Sequence, residues 1–347
     1  YIGGALALFG LRVSTVREGR QFEAMSRETL LVVNNLLLTV ILGVVLVGTL
    51  YPLMTEAFGH KVSVGPPYFN AVAGPIALVL MLAMVAGPLT RWRRDAPGIV
   101  GGRMLWPLGV MLATGAALAV AAWGKIGVLP FFGLVIALGV ALGSLIPLTK
   151  RNLKRTPLFT YGMVLAHLGC AVSLGGMAAE SAFSVEKLVA MQPGESVESA
   201  GWTIRFDKVA PLAGPNWVAM QADMAVSHGG GEKMLHPQSR FFSDPPTNTT
   251  ESAILTRWDG QLYVVLGERL EDGRWQMRIW WKPFVTLIWL GGMMIALGGA
   301  HLFEALGRAE AAEAMACRHD LLDIVAIDML AVGLAIGAVR AADEQAD

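Results

Sequence analysis

Charge is what this sequence has least of. Asp, Glu, Lys and Arg make up 16% of its 347 residues, against about a quarter in soluble domains. The charges cancel, 27 against 27, so no net field is left to gather a nucleic acid. Cysteine is nearly absent. Cys170 and Cys317 cannot build a metal site alone, and no pairing of them follows from their positions. There is no Walker loop, dinucleotide fingerprint, HExxH motif or nucleophile elbow. No series of carboxylates lies inside apolar runs, as a proton pump would require. The apolar segments within residues 71–148 carry no charge at all. That counts against a transporter, which needs intramembrane charges or broken helices near the midplane. A charged n-region of a signal peptide is missing too. The chain opens instead in a hydrophobic run, residues 1–11, too short to cross a bilayer. We read residue 1 as not the biological N-terminus, with helices missing upstream.

What the chain has in abundance is apolar sequence: 54% hydrophobic residues and 40 Gly, with a mean hydropathy of +0.53. The expected fold is a polytopic α-helical membrane protein with an inserted extracytoplasmic all-β domain. Residues 1–179 would hold a truncated first helix and five spans, at about 29–50, 71–90, 104–123, 126–148 and 156–179. Residues 283–305 would form the final span. Asn34 and Asn35 interrupt the first full span; paired Asn in a span usually satisfy neighbouring helices. Gly65-Pro66-Pro67 fixes a turn or an extended lead into the next span. The loops alternate in positive charge: Lys and Arg number four in 12–28, one in 51–70, four in 91–103, one in 124–125 and four in 149–155. The positive-inside rule puts the rich loops in the cytoplasm. The 156–179 helix then runs outward, and the chain beyond residue 179 emerges in the periplasm of a Gram-negative inner membrane.

Residues 180–282 are the polar insert, with 10 Lys/Arg and 13 Asp/Glu. Segments such as Trp202-Thr-Ile-Arg-Phe206, Leu262-Tyr-Val-Val-Leu and Trp275-Gln-Met-Arg-Ile-Trp280 alternate like strands. Turn signals separate them, from Pro211 to Pro215, at Gly229-Gly-Gly231, at Asp244-Pro-Pro and at Asp259-Gly. We expect a small antiparallel sandwich or barrel of roughly six to eight strands. His228, His236 and His60 read as loop residues. Residues 306–347 are an atypical tail; its apolar stretch 321–339 contains Asp323 and Asp328 and could be a further helix.

One residue carries chemistry at membrane depth. His167 lies within 156–179, an uncharged run of 24 residues. A histidine there is costly unless it faces protein, water or a cofactor. On a helix Met163, His167, Cys170 and Leu174 share a face. Gly162, Gly169 and Gly176 recur every seven residues beside it. Glycines let a flat, bulky group approach the backbone, and neutral imidazole ligates haem iron. A buried hydrogen-bonding histidine in a scaffold subunit, or a transporter, remain the alternatives at this point.

Several segments resemble the CcmF family, the membrane haem lyase subunit of bacterial cytochrome c maturation. They are Ser26-Arg-Glu28 with Asn34-Asn35-Leu, Gly48-Thr-Leu-Tyr-Pro52, Val64-Gly-Pro-Pro-Tyr-Phe-Asn70, Gly162-Met-Val-Leu-Ala-His167-Leu-Gly169, Leu262-Tyr-Val-Val-Leu-Gly-Glu268 and Ile288-Trp-Leu-Gly-Gly292. Their order and spacing match the C-terminal half of the family as far as about residue 305. The family's WWD segment, external haem-ligating histidines and first membrane histidine lie upstream of this stretch. The resemblance implies that His167 is an axial ligand of a haem b. It implies that this haem keeps an incoming haem iron reduced while thioether bonds form on the thiols of an apocytochrome CxxCH motif. The haem chaperone CcmE, a CcmH-type thiol-handling subunit and apocytochrome c are the implied partners, with membrane lipid and no nucleic acid. His60, His228, His236 and His301 match no family ligand. His236-Pro-Gln-Ser-Arg240 departs from the family's Lys/Glu-rich form.

Overall fold

The computed structural model describes residues 7–8, 10–11, 23–91, 94–122, 124–149 and 152–308, the last seven as backbone. The stretch with Asp323 and Asp328 lies outside the described residues. Five described helices are long and apolar enough to cross a membrane. They are α1 (Arg27–Ala57), α2 (Pro66–Ala86), α3 (Pro97–Ala122), α4 (Val128–Thr149) and α5 (Leu158–Phe183). A further apolar helix, α6 (Thr286–Arg308), comes after the insert. This is a multi-pass membrane protein.

The helix ends follow local chemistry. Ser26 caps α1, its Oγ accepting from the Thr29 N–H at 3.2 Å. Gly65 is extended (φ −109°, ψ −172°) and Pro66 takes the first helical position of α2, where a missing N–H is harmless. The expected end of the first span at residue 50 is overrun, because α1 continues through Pro52 to Ala57. A membrane helix tolerates an internal proline when nearby hydroxyls and neighbouring helices re-satisfy the disturbed turn. The Thr55 hydroxyl donates to the carbonyls of Tyr51 and Pro52 in the turn that follows.

Helix α5 is the axle of the bundle. Of its apolar window 61% is buried, against 11% for α3. Its packing on α6 is glycine-built. A Cβ on Gly169 would stand 2.6 Å from the Gly291 carbonyl, and one on Gly298 would stand 2.6 Å from the Ala166 nitrogen. The Ser173 hydroxyl donates to the Ile288 carbonyl across the same seam. The glycine repeat of Gly162, Gly169 and Gly176 therefore serves helix contact. It does not make room for a flat ligand, as the spacing alone suggests.

The insert is a two-sheet antiparallel sandwich of ten strands, more than the six to eight expected. They are β1 (Val185–Met191), β2 (Ser196–Ser199), β3 (Trp202–Ala213), β4 (Trp217–Ser227), β5 (Glu232–Leu235), β6 (Gln238–Ser243), β7 (Pro246–Glu251), β8 (Ala253–Arg257), β9 (Gly260–Arg269) and β10 (Trp275–Pro283). One sheet has the order β1-β10-β9-β8; the other has β2-β3-β4-β6-β7, with β5 also on β4. The strands beyond the expected number include β2 and β7, Ser-Val-Glu-Ser and Pro-Thr-Asn-Thr-Thr-Glu. Such short, polar edge strands show no apolar alternation to read. The turn expected from Pro211 starts later, because β3 runs to Ala213. β2 covers β3 only from Trp202 to Arg205, so Pro211 sits where the outer edge of β3 has no described neighbour, a place a residue without an N–H tolerates. Between the sheets lie Ile204, Phe206, Met224, Leu262, Leu266, Met277 and Ile279, all fully buried.

β1 directly follows α5, and β10 directly precedes α6. The two strands pair antiparallel, with Val185 opposite Trp281. The sandwich thus holds the end of α5 beside the start of α6, and the glycine seam continues that pairing through the bundle.

Candidate functional site

The site lies between the beginnings of α1 and α5 and the end of α2. A shallow cavity there is open on one side; it and the open space before it together amount to about 540 Å³. Leu30, Leu31 and Met84 give it an apolar wall; Arg27, Asn34 and His167 bring polar groups to it, with Met163 between. Arg27 and Asn34 are seven residues apart, two turns of α1, which places them on one face.

His167 is 9% exposed. Its Nδ1 lies 2.9 Å from the Met163 carbonyl oxygen. A carbonyl only accepts, so Nδ1–H is the donor and the basic lone pair is on Nε2. This is the tautomer and ring orientation that metal-ligating histidines take, with the second nitrogen fixed by a carbonyl. Met163 and His167 face the cavity. Cys170 and Leu174, expected on the same face, pack instead against Met84, Val135 and Ile136 on α2 and α4. The helical face thus divides into a cavity half and a packed half.

The start of α1 is clamped. The Arg27 N–H donates to the Arg91 carbonyl at 3.0 Å, and the Asp95 N–H donates to the Met25 carbonyl at 2.9 Å. Asp95, 5% exposed, accepts from the Arg91 N–H at 3.1 Å and from Arg103 Nη1 at 3.0 Å. A carboxylate paired in this way ties the loop after α2 to the N-terminus of α1 and sets where Arg27 emerges. Arg27 Nη2 reaches 3.8 Å from Met163 Sδ.

Asn34 is the residue that sequence reasoning misplaces. It is 8% exposed, and among the described residues its Nδ2 has no hydrogen-bond partner, so that donor satisfies no described neighbouring helix. Asn35 is exposed. The available signal is the seven-residue spacing of Arg27 and Asn34, which places both on one face.

The other histidines stand apart from this site. His228 stacks on Trp202 with ring centroids 4.9 Å apart and donates to the Gly201 carbonyl. His236 Nδ1–H donates to Asp223 at 2.8 Å. Burial pushes the Asp223 carboxyl up, but hydrogen bonds from His236 and Lys208 outweigh it and hold it below the usual carboxylate range. His60 and His301 are exposed. Among the described residues no group of three or more His, Cys, Asp or Glu could hold a metal ion.

A family model described as the CcmF C-terminal beta-sandwich matches residues 182–283, the ten-stranded insert. The chain is 38% identical over 320 residues to the cytochrome c-type biogenesis protein CcmF of Pseudomonas aeruginosa, a match covering 86% of this chain and 47% of that protein. The chain matches CcmF proteins along most of its own length. CcmF of Escherichia coli K12 is 36% identical over 302 residues, covering 86% of this chain and 47% of its own. The CycK protein of Rhizobium meliloti is 36% identical over 341 residues, covering 92% and 50%. The chain therefore spans about half the length of the curated CcmF relatives it matches. A solved structure titled Cytochrome c Heme Lyase CcmF superposes with a TM-score of 0.62 at 23% identity, covering 81% of this chain and 46% of that one. At that identity the likeness is one of fold.

Proposed function

We propose that this chain forms part of a cytochrome c haem lyase, contributing one axial ligand of a haem b and the domain on which protein partners dock. The observation that carries the reading is His167: a buried imidazole, held in one tautomer by the Met163 carbonyl, lining a cavity in the membrane bundle. The donor set suits haem. A neutral Nε2 is an iron ligand, and an apolar wall suits the macrocycle.

The residues divide the work. His167 would take the iron through Nε2. Met163 keeps the ring from turning by accepting at Nδ1, which also raises the basicity of Nε2. Leu30, Leu31 and Met84 exclude water from one face of the site. A haem held there would supply electron transfer toward the haem being attached. The sandwich on residues 182–283, in the periplasm of an inner-membrane protein, would receive CcmE, a CcmH-type subunit and apocytochrome c.

The test is the reduced-minus-oxidised optical spectrum of the full-length protein, wild type against His167→Ala. A b-type signal that vanishes or turns five-coordinate in the variant supports the assignment. An unchanged spectrum makes His167 a core hydrogen-bonding residue.

A further inference from the structure

Trp258, at the tip of the β8–β9 hairpin, is 81% exposed. The other tryptophans of the sandwich, Trp202, Trp217, Trp275, Trp280 and Trp281, are buried or half-buried. A single exposed aromatic is ordinary on a protein surface. The level and the side at which the fold holds this one are not.

Backbone bonds set the level. The Phe284 N–H donates to the Asp259 carbonyl at 2.8 Å, and the Thr286 hydroxyl donates to the Trp258 carbonyl at 3.2 Å. Gly260 lets the hairpin close on the end of β10, since a Cβ there would stand 2.6 Å from the Lys282 carbonyl. The tip is therefore fastened to the first turn of α6. That turn lies against the last part of α5, where a Cβ on Gly176 would stand 3.0 Å from the Ile288 nitrogen. Helix α5 ends at Phe183, about two turns later. Trp258 thus sits at the level where α5 and α6 leave the apolar layer.

Helical spacing sets the side. Thr286, Leu290, Met293 and Leu297 follow at intervals of four, three and four, which is one face of α6. Leu290, Met293 and Leu297 are exposed. Gly291, Ile295 and Gly298 occupy the opposite face and pack on α5. The hairpin is therefore fastened directly above the exposed apolar face. In a bilayer that face meets lipid tails, and the tip above it meets headgroups. An indole suits this boundary, with an apolar body and one N–H to donate. Arg257 and Asp259, on either side of Trp258, pair with each other at 2.9 Å. The competing occupant is protein, because an exposed tryptophan is a common hot spot. The uniformly apolar stripe beneath the tip favours lipid.

We propose that Trp258 is a lipid anchor, its indole entering the headgroup region of the leaflet next to the sandwich and binding phospholipid there. The anchor acts as a second foot. The chain joins sandwich to bundle through β1 and β10, neighbours at one side of their sheet. β8 is the opposite edge, about 14 Å from β1 at the usual strand spacing. A foot there resists rocking of the sandwich about the β1–β10 pair. The proposal rests on α6 lying in the membrane and is independent of any haem.

The experiment uses full-length protein in vesicles of phosphatidylethanolamine and phosphatidylglycerol. The photoreactive residue p-benzoylphenylalanine replaces Trp258 or, as a control, Glu271 in the β9–β10 turn at the far end of the same sheet. After irradiation, mass spectrometry of the peptides should find phospholipid adducts at 258 and none at 271. Cross-links from 258 to protein, whether another part of the full-length chain or a second copy, would overturn the proposal, and so would the absence of any adduct. Amide hydrogen exchange in the same vesicles tests whether the contact holds the tip. Trp258→Ser should exchange several-fold faster at the tip than wild type, and Trp258→Phe should stay nearer wild type, since it keeps an aromatic body. Lipid adducts with unchanged exchange in Trp258→Ser would also overturn the anchor, because the tip would then lie beside the bilayer without being held by it.

Discussion

A histidine's chemistry is set by what holds its other nitrogen. At residue scale the decisive contact is local: the Met163 carbonyl, one turn back, receives Nδ1–H of His167. His167 is legible in the sequence, because an imidazole deep in an uncharged run stands out. Asn34 is not. Asparagine in a span reads first as a helix-to-helix bond, and only packing shows that its Nδ2 has no acceptor among the described residues. Asp223, on the far side of the molecule, yields a prediction from its own contacts. Its folded-state value lies below the unfolded one, so the folded state binds fewer protons in the acid range. The resulting stability is present above about pH 4 and is lost as pH falls through the lowered value. Asp223→Asn should therefore shrink the drop in melting temperature between neutral and acid pH, followed by near-ultraviolet circular dichroism. An unchanged drop would place the acid sensitivity elsewhere.

At the scale of elements, helices and strands are unequally readable. Long apolar runs announce α2 to α5, although α3 already starts at Pro97, ahead of the expected 104 and with Arg103 inside it, and the end of α1 is hidden because Pro52 looks like a stop. Strands β3, β4, β9 and β10 show through as alternating segments. β2, β5 and β7 are edge strands whose pairing, not their sequence, makes them strands. The glycines of α5 are visible, but not what they face. Their role separates by variant. Gly169→Ala puts a Cβ into the Gly291 backbone, whereas a Cβ on Gly175 meets its nearest neighbour, Ala137, only at 3.8 Å. The first should destabilise the protein by about 1–3 kcal/mol. The second should be neutral, or stabilise by up to about 1 kcal/mol through helix propensity. Thermal melts in one detergent check the pair, and equal effects would mean that the α5–α6 seam is not close-packed. In the sandwich, Phe206 is fully buried, and Phe206→Ala should cost about 3–5 kcal/mol, seen as a lower denaturation midpoint.

At the scale of the molecule, the sandwich and the bundle are one mechanical unit, because paired β1 and β10 lead straight into α5 and α6. The alternation of Lys and Arg between loops predicts an orientation that can be measured. An impermeant maleimide applied to intact spheroplasts should label Ser243→Cys in the sandwich and leave Asn152→Cys, before α5, unlabelled until the membrane is opened. The reverse pattern would invert the topology and put the sandwich, proposed to dock protein partners, in the wrong compartment. The whole-molecule plan of spans, one polar insert and a closing span is legible because bilayer thickness imposes it. The meeting of α1, α2 and α5 at one cavity is not, since it depends on which helix faces touch.

Every role proposed for the cavity depends on His167 Nε2 bonding iron, and imidazole rescue tests that bond directly. In full-length His167→Gly protein the low-spin b-type spectrum should be lost, and added imidazole should restore it as the small molecule fills the space left by the side chain. A His167→Gly protein that keeps the wild-type spectrum before any imidazole is added would contradict the assignment.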